Sequence, residues 1–506
     1  MPLTPFVVLL LLVGAVLIRL GAKHERLVHW LKIGIPLLGL GLLAYEILSV
    51  PTIISGRIWL GDSLVRVAAL VACVVPLVIG CLETRPDLLA LMFWSSGLLA
   101  LCASSPLSLV QWAAMQFAIL PTLFFGRTRP SFSAEVISRH PTQVLGSGLF
   151  TTGFFLLQTT DVEHPAATIS LILMICGLGG MLGWFPFPRV STAEDEDISP
   201  GAIFGKRFLP VAIAGTFLFR MVERQPLTSY QSTILAVAAM FSLGLCSARM
   251  IKEERLSRRL VLSSLSVLSC LLFAVCLRNW EAGHLRRIWE VSSNLPGASS
   301  LFVSILACET AGLLALTCGF QLLNVEREGA DFVQTLAGAA SKRPWTASCS
   351  LVGLLTLSGL PPLPGFWWRW GLITACFLPH RQSNVTQVME ADYTFALLAL
   401  LMTLLLISSS LGQLRLLQQM LLDEPFRLRS DHSPRATRIA TVLTLLLLAG
   451  AACVPFSLSQ LLNRPNTNHP GIIHPGIIHP GINHPGINRP GTISSASQNP
   501  ALTSRP

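Results

Sequence analysis

Charge is scarce in this sequence. Only 12% of its 506 residues are Asp, Glu, Lys or Arg, and 52% are hydrophobic. Soluble domains carry about 25% charged residues, so most of this chain's surface does not meet water. Enzyme signatures are missing too. The sequence has no phosphate-binding P-loop, no GxGxxG after a strand, no HExxH and no CxxC. Ser, His and Asp occur, but no spacing assembles a triad. No residue is therefore assigned a catalytic role, and neither a cofactor nor a metal is expected. The twelve cysteines, among them Cys81, Cys102, Cys176, Cys246, Cys270, Cys308 and Cys318, fall mostly in apolar stretches. They read as small apolar fillers.

What the sequence has is apolar runs long enough to cross a bilayer. Fourteen are expected, near 4–20, 30–50, 63–83, 88–104, 106–126, 143–161, 167–187, 203–222, 228–248, 258–278, 298–323, 346–378, 394–417 and 437–459. The chain reads as an all-α polytopic protein of the lipid bilayer. The first run lacks a basic start and a small-residue cleavage site, so it reads as a retained span. The net charge of +10 does not indicate nucleic acid. Basic residues concentrate in alternate loops: Lys23 and Arg26; Arg127, Arg129 and Arg139; Arg249, Lys252, Arg255, Arg258 and Arg259; Lys342 and Arg343; Arg415, Arg427, Arg429 and Arg435. Arg286 and Arg287 are the exception. The positive-inside rule then puts both termini on the outer side.

One membrane domain, 1–462, is followed by a tail, 463–506. The tail repeats a five-residue unit in "HPGIIHPGIIHPGINHPGINRPG". Proline and glycine in every unit oppose helix and sheet, so disorder is expected there. The one markedly acidic loop, "STAEDEDISPG", lacks the ligand spacing of a calcium loop and reads as solvated.

Charges and helix breaks inside apolar runs are candidate functional features, because a charge at mid-bilayer costs about 2.5–3.5 kcal/mol on insertion scales. The twelfth run holds "LSGLPPLPGFWWRWGL". Pro361, Pro362 and Pro364 have no N–H to donate, Gly365 follows, and Arg369 lies four residues on. Freed carbonyls in lipid must be satisfied internally. The run therefore reads either as a broken helix forming an ion site or as a kink with a snorkelling arginine. Span seven ends "GLGGMLGWFPFP", with Pro186 and Pro188, and is a second candidate break. Two breaks five spans apart point to inverted repeats, here spans 4–8 and 9–13. Lys206 and Arg207, early in span eight, are inward-reaching cations or flank anchors. Glu309, deep in span eleven, is a proton-exchanging carboxylate or a neutral one bonded to a neighbouring helix. Arg220 and Glu46, near span ends, read as interfacial.

The segment "LAGAASKRPWTASCSLVGLLTLSGLPPLPGFWWRWGL" resembles the antiporter-like, proton-translocating subunits of respiratory complex I, where "LSLAGIPPLAGF" precedes a lysine. The stretch "ERLSRRLVLSSLSVLS" is similar to that family's "LKRLLAYSSIAHAG". Fourteen spans with outer termini resemble subunit N best, the counterpart of mitochondrial subunit 2. The related sodium/proton antiporters share the pattern.

The resemblance implies two inverted five-helix bundles, each with a broken helix, and a chain of mid-membrane ionisable groups. It places Gln116 at a glutamate position of span five and Met181 at a lysine position of span seven. Arg207, with Lys206 as the fallback, falls at a lysine of span eight, and Arg369 at the lysine of span twelve. Neither Gln116 nor Met181 titrates, and arginine keeps its proton. The implied function is a membrane-arm subunit of a proton-translocating NADH:quinone oxidoreductase, relaying or supporting proton movement while partner subunits reduce quinone. The implied partners are other membrane-arm subunits, and the implied location is a bacterial inner membrane or its equivalent. The alternatives are a non-pumping structural subunit of that complex, a cation/proton antiporter subunit, or a membrane-bound hydrogenase subunit.

Overall fold

The structure is a computed structural model. It describes residues 3–49, 62–83, 85–124, 141–161, 163–187, 199–280, 298–324, 336–342, 344–361, 363–382 and 389–422. The fourteenth expected span, the acidic loop up to residue 198 and the repeat tail lie outside these residues, as do Pro188 and Pro362.

Among the described residues the chain is helical and carries no strand. The helices are α1 (Thr4–Leu20), α2 (Glu25–Ser49), α3 (Ser63–Leu82), α4 (Pro86–Ser104), α5 (Ser108–Phe124), α6 (Pro141–Thr159), α7 (Pro165–Leu182), α8 (Pro200–Arg224), α9 (Ser229–Lys252), α10 (Leu256–Trp280) and α11 (Ala298–Asn324). Then come α12 (Pro344–Ser358), α13 (Pro364–Gln382) and α14 (Met389–Leu422). Among the described residues, ten helices are long and apolar enough to cross a membrane by themselves. Thirteen of the expected spans coincide with described helices, the twelfth being shared between α12 and α13.

Most of the prolines near helix ends start helices. Pro86, Pro141, Pro165, Pro200, Pro344 and Pro364 are each the first helical residue, where the missing N–H has no intrahelical partner to lose. Side-chain caps do the same elsewhere. The Asp62 carboxylate accepts from the Val65 N–H at the start of α3, and Thr228 with Gln231 forms a capping box on α9.

The contact pattern recurs at an offset of five spans. α4 packs on α5 and α8, and α9 packs correspondingly on α10 and α14. α6 pairs with α7, and α11 pairs with α12. Five crossings is an odd number, so a second copy starts from the opposite side of the membrane. That is the origin of the inversion. The two paired layers are also alike in chemistry. A Cβ on Gly146 or Gly153 of α6 would meet α7 backbone at 2.6 Å. A Cβ on Gly353 of α12 would meet α11 backbone at 2.7 Å, and Gly319 of α11 lies directly against Ser350. Small residues let helices approach to backbone contact where lipid offers no hydrophobic driving force. α1–α3 flank this core, with α1 packed on α4 and α3 reaching α11. Leucines 9, 37 and 38 on α1 and α2, and 397, 400, 404 and 411 on α14, are exposed, as suits surfaces bathed in acyl chains.

Candidate functional site: the break between α12 and α13

α12 ends at Ser358 in a fold-back of defined type. Gly359 adopts φ +68°. Its N–H bonds the Thr356 carbonyl at 3.1 Å, and the Leu360 N–H bonds the Leu355 carbonyl at 3.3 Å. This pair of bonds is a Schellman cap. Pro364 then opens α13, and Gly365 lies in direct contact with the Thr356 carbonyl.

In an unbroken helix the Leu357 and Ser358 carbonyls would receive the N–H groups of residues 361 and 362. Both are prolines. The side chain of Arg369 takes over. Its Nη2 donates to the Leu357 carbonyl. Its Nη1 donates to Ser410 Oγ of α14 at 2.7 Å, and that hydroxyl in turn lies 2.6 Å from the Ser358 carbonyl. The two acceptors orphaned by proline are thus the two served by the guanidinium, one directly and one through a serine. Gly359 makes room: a Cβ there would lie 2.6 Å from Arg369 Cδ. Arg369 is 9% exposed and its charge stands 5.1 Å from the ring centre of Trp368. The arginine is held inside the protein, so the snorkelling alternative is set aside.

Glu309 of α11 meets this group. It is 3% exposed, and its Oε1 is 3.8 Å from Arg369 Nη2 with no hydrogen-bond donor of its own. The carboxylate is therefore paired through charge and retains an open acceptor. On α10, the Cys270 thiol is within electrostatic reach of both.

The corresponding region of the first repeat is differently equipped. α7 ends at Leu182 with Gly183 at φ 75°. The turn comes three residues before Pro186, so the glycine, not the proline, stops the helix. Buried Trp184 follows and donates its indole N–H to Ser269 Oγ of α10 at 3.0 Å. Gln116 of α5 is buried between Ser147 and Thr151 of α6, accepting from the first at 2.7 Å and donating to the second at 3.3 Å. Met181 is buried at the end of α7. Beside it, Lys206 and Arg207 sit on a widened π-turn, Phe204–Phe208. Pro210 explains that turn, because its ring would clash with the carbonyl of residue 206 in a regular helix. Met181, Lys206, Arg207, Gln143 and Ile119 line a cavity of about 10 Å³, room for the centre of one water. The structure therefore brings Met181 together with the span-eight cations, and Glu309 together with Arg369. Gln116 is tied to α6.

Arg220 and Glu46, expected at the interface, lie near helix ends but are enclosed by protein. Arg220 is 1% exposed, forks onto both Asp62 oxygens at 2.6 and 2.7 Å, and also binds Glu223 and the Ala103 carbonyl. Glu46 accepts from the Leu3 N–H and lies against the Thr4 hydroxyl at the start of α1. Sequence reasoning passed over Ser410, Trp184 and Ser269, along with the buried Lys32 of α2 and Arg66 of α3. The two cations stood inside apolar runs and were visible by the same criterion as Arg369.

The fold and the break define a polytopic membrane protein built from two inverted five-helix repeats. No protein-family model matches the chain. Its sequence is similar to NAD(P)H-quinone oxidoreductase subunit 2 of the Chara vulgaris chloroplast, 29% identical over 40% of this chain and 38% of that one. It is also similar to NADH-quinone oxidoreductase subunit N 2 of Roseiflexus castenholzii (25% identical, 58% of this chain, 55% of that one) and subunit N of Polaromonas naphthalenivorans (22%, 61%, 59%). The matches span about half the length of these curated relatives. A chain of respiratory complex I from Thermus thermophilus has the same fold, with TM-score 0.66, 18% identity, and coverage of 90% of this chain and 99% of that one. So does a chain of the Mrp complex from Dietzia sp. DQ12-45-1b, with TM-score 0.66, 14% identity, and coverage of 91% and 97%. The resemblance read from the sequence is to subunit N, and the Roseiflexus and Polaromonas relatives carry that name, while the Chara relative is named subunit 2.

Proposed function

We propose that the chain is a membrane-arm subunit of a proton-translocating NADH:quinone oxidoreductase, built like subunit N. It relays or supports proton movement, while partner subunits of the same assembly pass electrons to quinone. Residues 1–462 form the working domain in an inner membrane or its equivalent, with both termini outside.

The observation that carries this reading is the Glu309–Arg369 pair at the break. Arginine holds its proton and so supplies a fixed field. Glu309, with one oxygen lacking a donor, is the group that takes up and releases a proton. In the first repeat the positive charge comes from Lys206 and Arg207 on α8 in place of span seven. The test is the number of protons moved per electron pair by the assembled complex in vesicles. Glu309→Gln should lower that number while electron transfer continues.

A second reading has its own support. Gln116 and Met181 do not titrate, and the guanidinium serves main-chain carbonyls. An unchanged ratio in Glu309→Gln favours a supporting, non-pumping subunit. Co-purification with antiporter companions, and without quinone-site and iron–sulfur subunits, would instead favour an Mrp-like assembly.

A further inference from the structure

A cavity of about 540 Å³ opens where α2 begins and α4 begins, far in sequence from the break. Glu25, Arg26, His29, Trp30 and Lys32 are among the residues that line it, and the three basic ones define its chemistry. Arg26, His29 and Lys32 are spaced by three residues on α2, so they lie along one side of the helix. Arg26 and His29 are exposed, whereas Lys32 is 7% exposed, with its ammonium 3.4 Å from the Glu83 carbonyl. Two carboxylates lie near. The Glu83 side chain is engaged with the Ser199 hydroxyl at 2.6 Å and the Arg85 N–H at 3.1 Å. Glu25 is exposed at the cavity wall. Asp87, beyond the wall, pairs with Arg19. Trp30 projects from the same wall and is 76% exposed.

The α1–α2 and α3–α4 connections meet on one side of the bundle, so the cavity lies at helix ends, at the depth of lipid headgroups. An exposed indole is characteristic of that depth. A buried ammonium, an arginine and an imidazole on one stripe suit a phosphate, and basic pockets between membrane helices hold anionic headgroups. The volume matches a headgroup and the first carbons below it.

We propose that this cavity binds the phosphate-bearing headgroup of an anionic phospholipid. Arg26 and Lys32 contact the phosphate, and Trp30 covers the glycerol backbone.

The test uses the purified full chain in detergent, with phosphatidylglycerol, phosphatidylcholine of the same acyl chains, and inorganic phosphate as probes. Retained lipid is read by native mass spectrometry. Phosphatidylglycerol should be retained in preference to phosphatidylcholine. Arg26→Gln should weaken retention about fivefold, and Lys32→Gln by a further similar factor. Arg19→Gln, which removes a cation paired outside the cavity, should leave retention unchanged. Lys32 also supports the fold, so Arg26→Gln with His29→Gln, both exposed positions, provides a second variant that does not depend on it. Equal retention of the two lipids, or full retention in the double variant, overturns the proposal. Displacement of the lipid by millimolar inorganic phosphate identifies a soluble-anion site and overturns it as well.

Discussion

Arg369 bridges two elements that proline disconnects. Its replacement should therefore damage more than charge. Arg369→Ala leaves the buried Leu357 carbonyl without a donor, at about 1–3 kcal/mol, removes the donor that orients the Ser410 hydroxyl, and strands Glu309 without its counter-charge. The expected result is a chain that fails to accumulate in the membrane, checked by size-exclusion of the solubilised protein. Arg369→Lys keeps the charge, but a single ammonium cannot extend toward Leu357 and Ser410 as a fork does. A loss of about 1–3 kcal/mol is expected, seen as a lower melting temperature in detergent. A double-mutant cycle of Glu309→Gln with Arg369→Lys should show coupling of about 0.5–3 kcal/mol; additivity would mean that the two do not interact. The arginine, the glutamate and the prolines were legible in the sequence because each violates its apolar surroundings locally. Ser410 was not. A serine is ordinary in a membrane helix, and its partner is 41 residues away.

At the scale of elements, the break and the paired glycine layers set the architecture. Gly359→Ala places a Cβ in the space of the Arg369 side chain and forces a left-handed residue, which costs about 1–2 kcal/mol before any clash. It should reproduce part of the Arg369→Lys defect in the same melting experiment. Gly146→Leu would drive a side chain into the α7 backbone, and crosslinking between introduced cysteines on α6 and α7 should fall away. Span positions were legible from apolar length, whereas the starts at Pro86, Pro141, Pro165 and Pro200 lie two or three residues before the expected edges, because a first-turn proline adds no apolar length to the run. The inner symmetry was legible only from spacing, although a chemical trace of it exists. Gly146 and Gly153 of α6 are seven residues apart, as are Gly312 and Gly319 of α11. Two glycines in an apolar run signify nothing until the facing helix is known, which is why that trace went unread.

At the scale of the whole molecule, α10 lies between the two halves, packed on α8, α9 and α11. Truncation after residue 462 should leave assembly and turnover at wild-type levels, measured on the purified complex, if the tail stands apart from the membrane domain. Ser269 holds Trp184 from the first half, and the next residue, Cys270, is within electrostatic reach of Glu309 and Arg369 in the second. Successive residues on a helix point about 100° apart, so this one rod touches both neighbourhoods on different sides. A small turn of it about its own axis would disturb both at once. A substitution that tilts this rod for the sake of one half is therefore paid back in the other, so neither neighbourhood can be rebuilt alone.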